Sequence, residues 1–211
     1  IFKRTVKKML YPLIYKHYRR KYKDVVIGLF TMGEQAVKTY CNYGWENVFR
    51  FMYLPDIKKQ NVLKKSVEKK IRFLYIGRFE YETKGVDILI HAVDRLKSTE
   101  GWTLDLVGGY GRDKDEIINW CNHNRNVFFR GTWKADEIIK KMTDYDICIV
   151  PSIYDGWNLA PMQSLYAGIG CIVTDGAGSQ ELIYNSGAGV VIPAGNINEL
   201  TKILQDLLRD E

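Results

Sequence analysis

Two stretches hold the residue types that can do chemistry. The first is Gly77-Arg78-Phe79-Glu80-Tyr81-Glu82-Thr83-Lys84-Gly85, which follows an apolar run and opens a helical pattern. Arg78 offers a planar fork that matches phosphate oxygens, and Lys84 a mobile point charge. Together they can hold a diphosphate and stabilise it as a leaving group without a metal. The plain alternative is two surface cations beside the acids Glu80 and Glu82. The second stretch runs from Val150 to Glu181. Pro151-Ser152 ends an apolar run there, and a loop carries Asp155 and Gly156. A helix is expected from Asn158, a good N-cap type, with Pro161 in its first turn. Gly168 and Gly170 end it. A strand, a Gly-containing loop and a helix N-terminus present free N–H groups to an anion. Asp155 and Gln163 stand eight residues apart across that helix start. One on the loop and one on the helix can both face a polyhydroxyl ligand. The plain alternatives are a turn acid and a polar residue on an exposed helical face.

Other groups are less specific. Val107-Gly108-Gly109-Tyr110-Gly111 lacks the glycine spacing of a dinucleotide fingerprint. It reads equally as a cleft lining and as a tight turn. The three histidines are scattered, and Cys41, Cys121, Cys148 and Cys171 have no metal-like spacing, so no metal is expected. The cysteines read as buried free thiols of a cytosolic protein.

These residues need a frame. Strands are expected at Arg72–Ile76, Thr103–Val107, Asn126–Arg130, Ile147–Val150, Cys171–Thr174 and Gly189–Ile192. Helices are expected at Gly85–Leu96, Lys114–Asn122, Ala135–Met142, Asn158–Ala167, Ser179–Tyr184 and Asn196–Leu208. Short apolar strands alternating with helical patterns imply an α/β fold, a parallel sheet with helices on both faces. Ligands of such sheets bind at the carboxyl ends of strands, beside a switch in strand order. Every motif above falls at such an end.

The chain before residue 71 is different. Residues 1–23 hold nine Lys/Arg and no acid, whereas the rest of the chain has 22 Lys/Arg against 25 Asp/Glu. Phe2, Val6, Leu10, Leu13, Ile14 and Tyr18 recur at helical spacing among the cations, with Pro12 starting or kinking the helix. This reads either as a basic amphipathic segment for an anionic membrane surface or as an ordinary packing helix with a solvated face. No nucleic-acid module follows it. A strand at Asp24–Phe30, a helix at Glu34–Tyr43 and a strand at Asn47–Leu54 come next. Lys-rich residues 56–70 read as a linker, giving divisions at 1–55, 56–70 and 71–211. The start at Ile1 reads as a fragment or processed form. Neither a signal peptide nor a membrane-spanning run of about 18 apolar residues is indicated.

Taken in order, these motifs resemble glycosyltransferase family 4, the retaining group of GT-B fold. Pro151-Ser152, Asp155-Gly156-Trp157-Asn158 and Gln163 are similar to its donor signature of Pro-Ser, Glu-Gly-Phe-Gly and a second Glu eight residues on. Asp-Gly-Trp is the form of some bacterial polysaccharide transferases. Gly77-Arg78 and Lys84-Gly85 match the family's Gly-Arg and Lys-Gly. The resemblance implies a Rossmann-like C-terminal domain at 71–211 that binds a nucleotide diphosphate sugar, behind a remnant of the N-terminal acceptor domain at 1–55. It implies Arg78, Lys84 and Asp155 as catalytic residues, the first two on the diphosphate and the third on sugar hydroxyls. Donor contacts are implied for Gly77, Gly109, Gly156, Trp157 and Asn158. Arg130 and Gly131 are implied beside the base, where Trp133 either stacks or packs in the core. Gln163 departs from the family, whose Glu grips the ribose. The implied reaction is metal-independent transfer, with retention, to a glycan or lipid-linked acceptor in bacterial polysaccharide or lipopolysaccharide synthesis. The implied location is the cytoplasm, peripherally at the inner membrane face. A non-catalytic nucleotide-sugar-binding domain and a GT-B-like epimerase remain as alternatives.

Overall fold

The computed structural model describes residues 2–53, 70–96, 100–184 and 186–209, without the side chains of residues 2–9. The chain divides into two compact units, Ile1–Ile57 and Lys58–Glu211. The expected linker over 56–70 lies outside the described residues apart from Lys70.

The first unit opens with α1 (Phe2–Tyr22), which runs unbroken with Pro12 inside it. β1 (Leu29–Met32), α2 (Gly33–Asn42) and β2 (Val48–Phe51) follow. β1 and β2 pair in parallel, from Leu29 opposite Val48 to Met32 opposite Phe51, with α2 as the crossover. The first expected strand starts too early. Val25 and Val26 donate back to the Tyr22 carbonyl and close the turn after α1. Ile27 is left 92% exposed, and pairing begins at Leu29, whose N–H reaches Asn47 O. α1 packs through Tyr15, stacked on Tyr43 at 4.9 Å and edge-on to Tyr40 at 5.1 Å. Its stripe residues Leu10, Leu13, Ile14 and Tyr18 stay exposed. Among the described residues no helix is long and apolar enough to cross a membrane.

The second unit alternates as expected. β3 (Ile71–Ile76), the short α3 (Tyr81–Lys84), α4 (Val86–Val93) and β4 (Trp102–Val107) form its first part. α5 (Lys114–Asn122), β5 (Val127–Phe129), α6 (Ile138–Met142) and β6 (Ile147–Val150) continue it. α7 (Ala160–Ala167), β7 (Gly170–Thr174), α8 (Gln180–Tyr184), β8 (Gly189–Ile192) and α9 (Ile197–Leu207) close it. Among the described residues the strands make one six-stranded parallel sheet in the order β5-β4-β3-β6-β7-β8. The order reverses at β3.

Both faces of the sheet are buried, and strand periodicity sorts the side chains between them. Phe73, Tyr75, Leu104, Leu106, Ile149 and Ile172 meet α4, α5 and α9 on one face. Leu74, Val107, Cys148, Val150, Cys171 and Val173 meet α6, α7 and α8 on the other. β3 and β6, remote in sequence, are clasped at their start by Asp146. Its carboxylate accepts from Arg72 N at 2.7 Å and its own N–H reaches Arg72 O at 2.9 Å.

Helix ends differ from expectation by one to three residues, for local reasons. α7 starts at Ala160 rather than Asn158, because Asn158 sits at φ 66 and accepts from Ala160 N through its own side chain at 3.0 Å. α4 stops at Val93 and is continued by turn bonds to Leu96. The first expected functional loop contains α3, which no periodicity in four residues could announce. α3 and α4 meet at Gly85, at φ 63, where an added Cβ would lie 2.1 Å from the Pro151 carbonyl oxygen. Gly85→Ala combines a left-handed non-glycine residue with a backbone clash. It should lower the stability of the chain by about 2 kcal/mol or more, read as a fall in the urea midpoint at unchanged slope.

Candidate functional site

A cleft of about 350 Å³ opens at the carboxyl ends of the strands flanking the reversal at β3. Ile76, Gly77, Arg78 and Lys84 line it from β3 and α3, and Val107 to Tyr110 from the end of β4. Thr132, Trp133 and Ile138 line it after β5, and Asn158 to Ala160 with Gln163 at the start of α7. Loops that are distant in sequence converge here because parallel strands all end on the same side.

The two cations of the first motif both face this cleft, and each is held by one carboxylate. Arg78, half-exposed, has Nη1 3.1 Å from Glu80 Oε1. The other oxygen of Glu80 accepts from Thr83 Oγ1 at 2.7 Å. Arg78 is fixed at its backbone too, since the buried Tyr75 hydroxyl donates to its carbonyl at 2.7 Å. Burial raises the Tyr75 phenol well above its ordinary range, so it stays a donor at neutral pH. Lys84 pairs with Asp155, and both side chains are only 15% exposed. Glu82 takes no part in these pairs; it bonds Arg112 at 2.6 Å on the surface. The reading of two surface cations beside Glu80 and Glu82 therefore fits Arg78, half-exposed and bonded to Glu80, but not Lys84, whose partner is Asp155.

Asp155 owes its position to two neighbouring loops. Ile153 N and Tyr154 N donate to Thr83 O at 2.9 and 3.1 Å, which ties its loop to α3. Asp155 N donates to Gly176 O at 2.8 Å, Gly178 N to Asp155 O at 3.0 Å and Ser179 N to Trp157 O at 2.8 Å. The Asp175–Glu181 turn is thus a backbone buttress for the Asp155 loop, and its glycines serve packing. An added Cβ at Gly178 would lie 2.2 Å from Gly156 O. Gly156 itself is different. It is exposed, has no positive φ, and a Cβ there would meet nothing within 4 Å. Packing does not require glycine at 156, which leaves free room beside it.

Gln163 is 8% exposed and lines the cleft, so the exposed-face alternative does not hold. Its amide has no hydrogen bond to another described residue. Its polar atoms stay open to the cleft, where solvent or a ligand can meet them.

Asp155, Gly156, Trp157, Arg130 and Gly131 do not line the cleft. Trp157 is 5% exposed, behind the loop. Arg130 turns away: its Nε meets Asp105 at 2.8 Å and its guanidinium lies 4.8 Å over the Phe128 ring. Asp105 is a buried acid on β4, also bonded by Tyr145 Oη at 2.7 Å. Gly131 contributes a carbonyl that accepts from Gly108 N at 2.9 Å, which pins the glycine turn after β4. Trp133 meets the packing alternative. It packs against the core through Tyr145, 6.0 Å away, and lines the cleft with its remaining surface. Sequence reasoning missed Tyr110, Thr132, Ile138 and Leu159. Tyr110 had a signal, since it lies within the glycine-rich stretch 107–111 that reads as a cleft lining or a tight turn. The others had none.

Among the described residues no group of three or more His, Cys, Asp or Glu is placed to hold a metal ion. The cysteines are free; burial pushes the Cys148 thiol up to about 12 and Cys121 to about 11, which makes them poor nucleophiles. Cys41 departs from expectation in being exposed.

The doubly wound parallel sheet, with its cation-lined crevice at the strand reversal, defines a Rossmann-like α/β domain. The chain belongs to the group 1 glycosyl transferases, whose family model matches residues 56–211. It is 23% identical over 193 residues to an uncharacterized glycosyltransferase of Methanocaldococcus jannaschii, covering 89% of this chain and 49% of that protein. The chain thus spans about half the length of this relative. Anabaena HepE in complex with UDP superposes with a TM-score of 0.76 at 18% identity, covering 95% of this chain and 59% of that one. The lipopolysaccharide outer core galactosyltransferase WaaB, in its apo form, gives 0.72 at 20% identity over 85% and 52%. At these identities the likeness establishes the GT-B type of fold.

Asp105 offers a direct test of how the base of the cleft is held. Tyr145→Phe removes one donor from a buried carboxylate and should cost about 1–3 kcal/mol. Arg130→Ala should cost a similar amount, and the double variant should differ from the sum, because both groups share one acid. Melting curves of the three variants measure this.

Proposed function

We propose that this chain supplies the donor-binding half of a retaining, metal-independent glycosyltransferase. The donor is a nucleotide diphosphate sugar, and the acceptor a hydroxyl of a glycan or lipid-linked glycan. The observation that carries the reading is the meeting of Arg78 and Lys84 in one cleft with the start of α7. Two cations give a diphosphate fixed charge, and the start of α7 sets the positive end of a helix dipole beside them. Family membership supports glycosyl transfer, and it favours transfer over the epimerase and non-catalytic readings. The fold relative HepE has been crystallised with UDP-glucose, which supports a nucleotide-sugar donor.

In this reading the diphosphate lies across Arg78 and Lys84, with its sugar toward Asp155 and the open space at Gly156. Gln163 reads the ribose through its amide. As the bond from the anomeric carbon to the diphosphate breaks, charge builds on the departing oxygen and the two cations stabilise it. The acceptor hydroxyl attacks from the same face, passing its proton to the leaving diphosphate, so configuration is retained. A place in bacterial polysaccharide or lipopolysaccharide synthesis is supported by the likeness to WaaB. The basic helix α1, with Leu10, Leu13, Ile14 and Tyr18 exposed, suits an anionic membrane surface where a lipid-linked acceptor resides, at the cytoplasmic face.

Titration with UDP, GDP and ADP by calorimetry and thermal melting tests the donor reading. One base should be preferred, and at a hundred times its dissociation constant it should add about 2.7 kcal/mol of stability. Arg78→Ala should weaken it about tenfold or more, as expected for a lost charged hydrogen bond. The chain alone should transfer sugar poorly, for lack of the acceptor-side groups. Binding of none of the three sinks the reading, and brisk transfer by the isolated chain contradicts its division of labour. For α1, sedimentation with phosphatidylserine vesicles, weakening with salt and absent with phosphatidylcholine, is the expected outcome.

A further inference from the structure

We propose that Lys84 exchanges partners when the donor binds. The diphosphate takes Lys84 from Asp155, and the released Asp155 carboxylate then accepts hydrogen bonds from hydroxyls of the donor sugar. This rests on the donor-binding reading above. It adds a linkage between phosphate and sugar recognition that neither residue has alone.

Four observations carry it. Lys84 lines the cleft while Asp155 does not, so an entering anion meets the ammonium before the carboxylate. Both side chains are only 15% exposed, so water replaces neither partner well. Among the described residues, Lys84 is the one side-chain partner of the Asp155 carboxylate. The backbones on both sides are fixed: Thr83 O holds Ile153 N and Tyr154 N, and Gly176 O holds Asp155 N. The exchange therefore needs rotation of a flexible lysine side chain and no movement of either loop.

The consequence is discrimination. A bare nucleoside diphosphate takes Lys84 and strands a largely buried carboxylate, which is unfavourable. A sugar conjugate takes Lys84 and supplies hydroxyl donors to the same carboxylate. Asp155 thus favours the intact donor over the diphosphate product, and its return to Lys84 helps expel that product after transfer.

Calorimetry with UDP, GDP and ADP and their glucose conjugates, on wild type, Asp155→Asn, Lys84→Ala and the double variant, tests this. Asp155→Asn should bind the bare diphosphate about threefold tighter or more, because the competitor for Lys84 is gone. It should also lose the extra affinity of the conjugate. In the Lys84→Ala background the same substitution should not tighten binding. Equal tightening with and without Lys84 would mean simple charge repulsion and overturns the exchange; so does weaker binding of the bare diphosphate by Asp155→Asn. No binding by any protein removes the donor reading and this inference with it, whereas binding without the coupling removes the inference alone. Circular dichroism checks folding, with Asp155→Ser as the second variant. A crystal structure of the wild-type chain with the bound bare diphosphate decides independently. Lys84 on a phosphate oxygen supports the exchange, and Lys84 still on Asp155 refutes it.

Discussion

The reversal of strand order at β3 is the constraint on which the site depends. β4 and β5 lie to one side of β3 and β6 to β8 on the other, so the chain leaving β3 and the chain leaving β6 diverge above the sheet. The gap between them is not filled by a crossover helix, and it becomes the cleft. β3 must stay beside β6 across a long sequence separation. The Asp146 clasp to Arg72 and the register of Phe73 with Ile147 secure this. Gly85 pressed against Pro151 then brings the end of α3 onto the loop after β6. Without that close approach Lys84 could not reach Asp155.

Every charge that faces the cleft is balanced before a ligand arrives. Arg78 has Glu80 and Lys84 has Asp155. An unpaired Lys84 at its depth would be costly, and permanently bound anions would close the site. Acids supplied by the chain resolve the conflict, since they keep the cations in place without filling the cleft. Glu80 is also bonded by Thr83, whose carbonyl ties down the Asp155 loop. The two ion pairs are therefore mechanically connected through one short segment of chain.

Much of this was legible in the sequence, for reasons of periodicity. Strands buried on both faces read as short apolar runs, so β6 matches its expected limits and β3, β4 and β7 lie within one residue of theirs; β8 at the sheet edge matches too, although Val190 is exposed. Asp105 shows the limit of that reading: a charged residue inside an apolar run gives no hint that Tyr145 and Arg130 will meet it. Pairings across the sheet depend on which strands become neighbours, and local patterns do not encode that. The same holds at the site. Arg78, Lys84 and Gln163 were found by type and spacing, but their partners were not. Arg130 was expected beside the base through its backbone, and its side chain has a separate task in holding Asp105. At Asp24–Phe30 the apolar pattern was strand-like, but among the described residues no partner strand runs alongside before Leu29, and propensity without pairing does not make a strand.

Gln163 is best understood through the same charge balance. The residues lining the cleft include Arg78 and Lys84 as their charged members, and each already has an acid. A glutamate at 163, buried to the same degree, would find no uncommitted cation among these lining residues. It would carry the desolvation penalty of a lone carboxylate, and in the proposed donor reading it would add a like charge near the diphosphate. An amide of nearly the same shape avoids both costs. It still accepts from a hydroxyl through its oxygen, and it adds an N–H₂ donor that a carboxylate lacks. The substitution trades some strength in each bond for a cleft that is electrically neutral when empty. In the proposed donor reading, that neutrality leaves an incoming diphosphate only the chain's own acids to displace at Arg78 and Lys84.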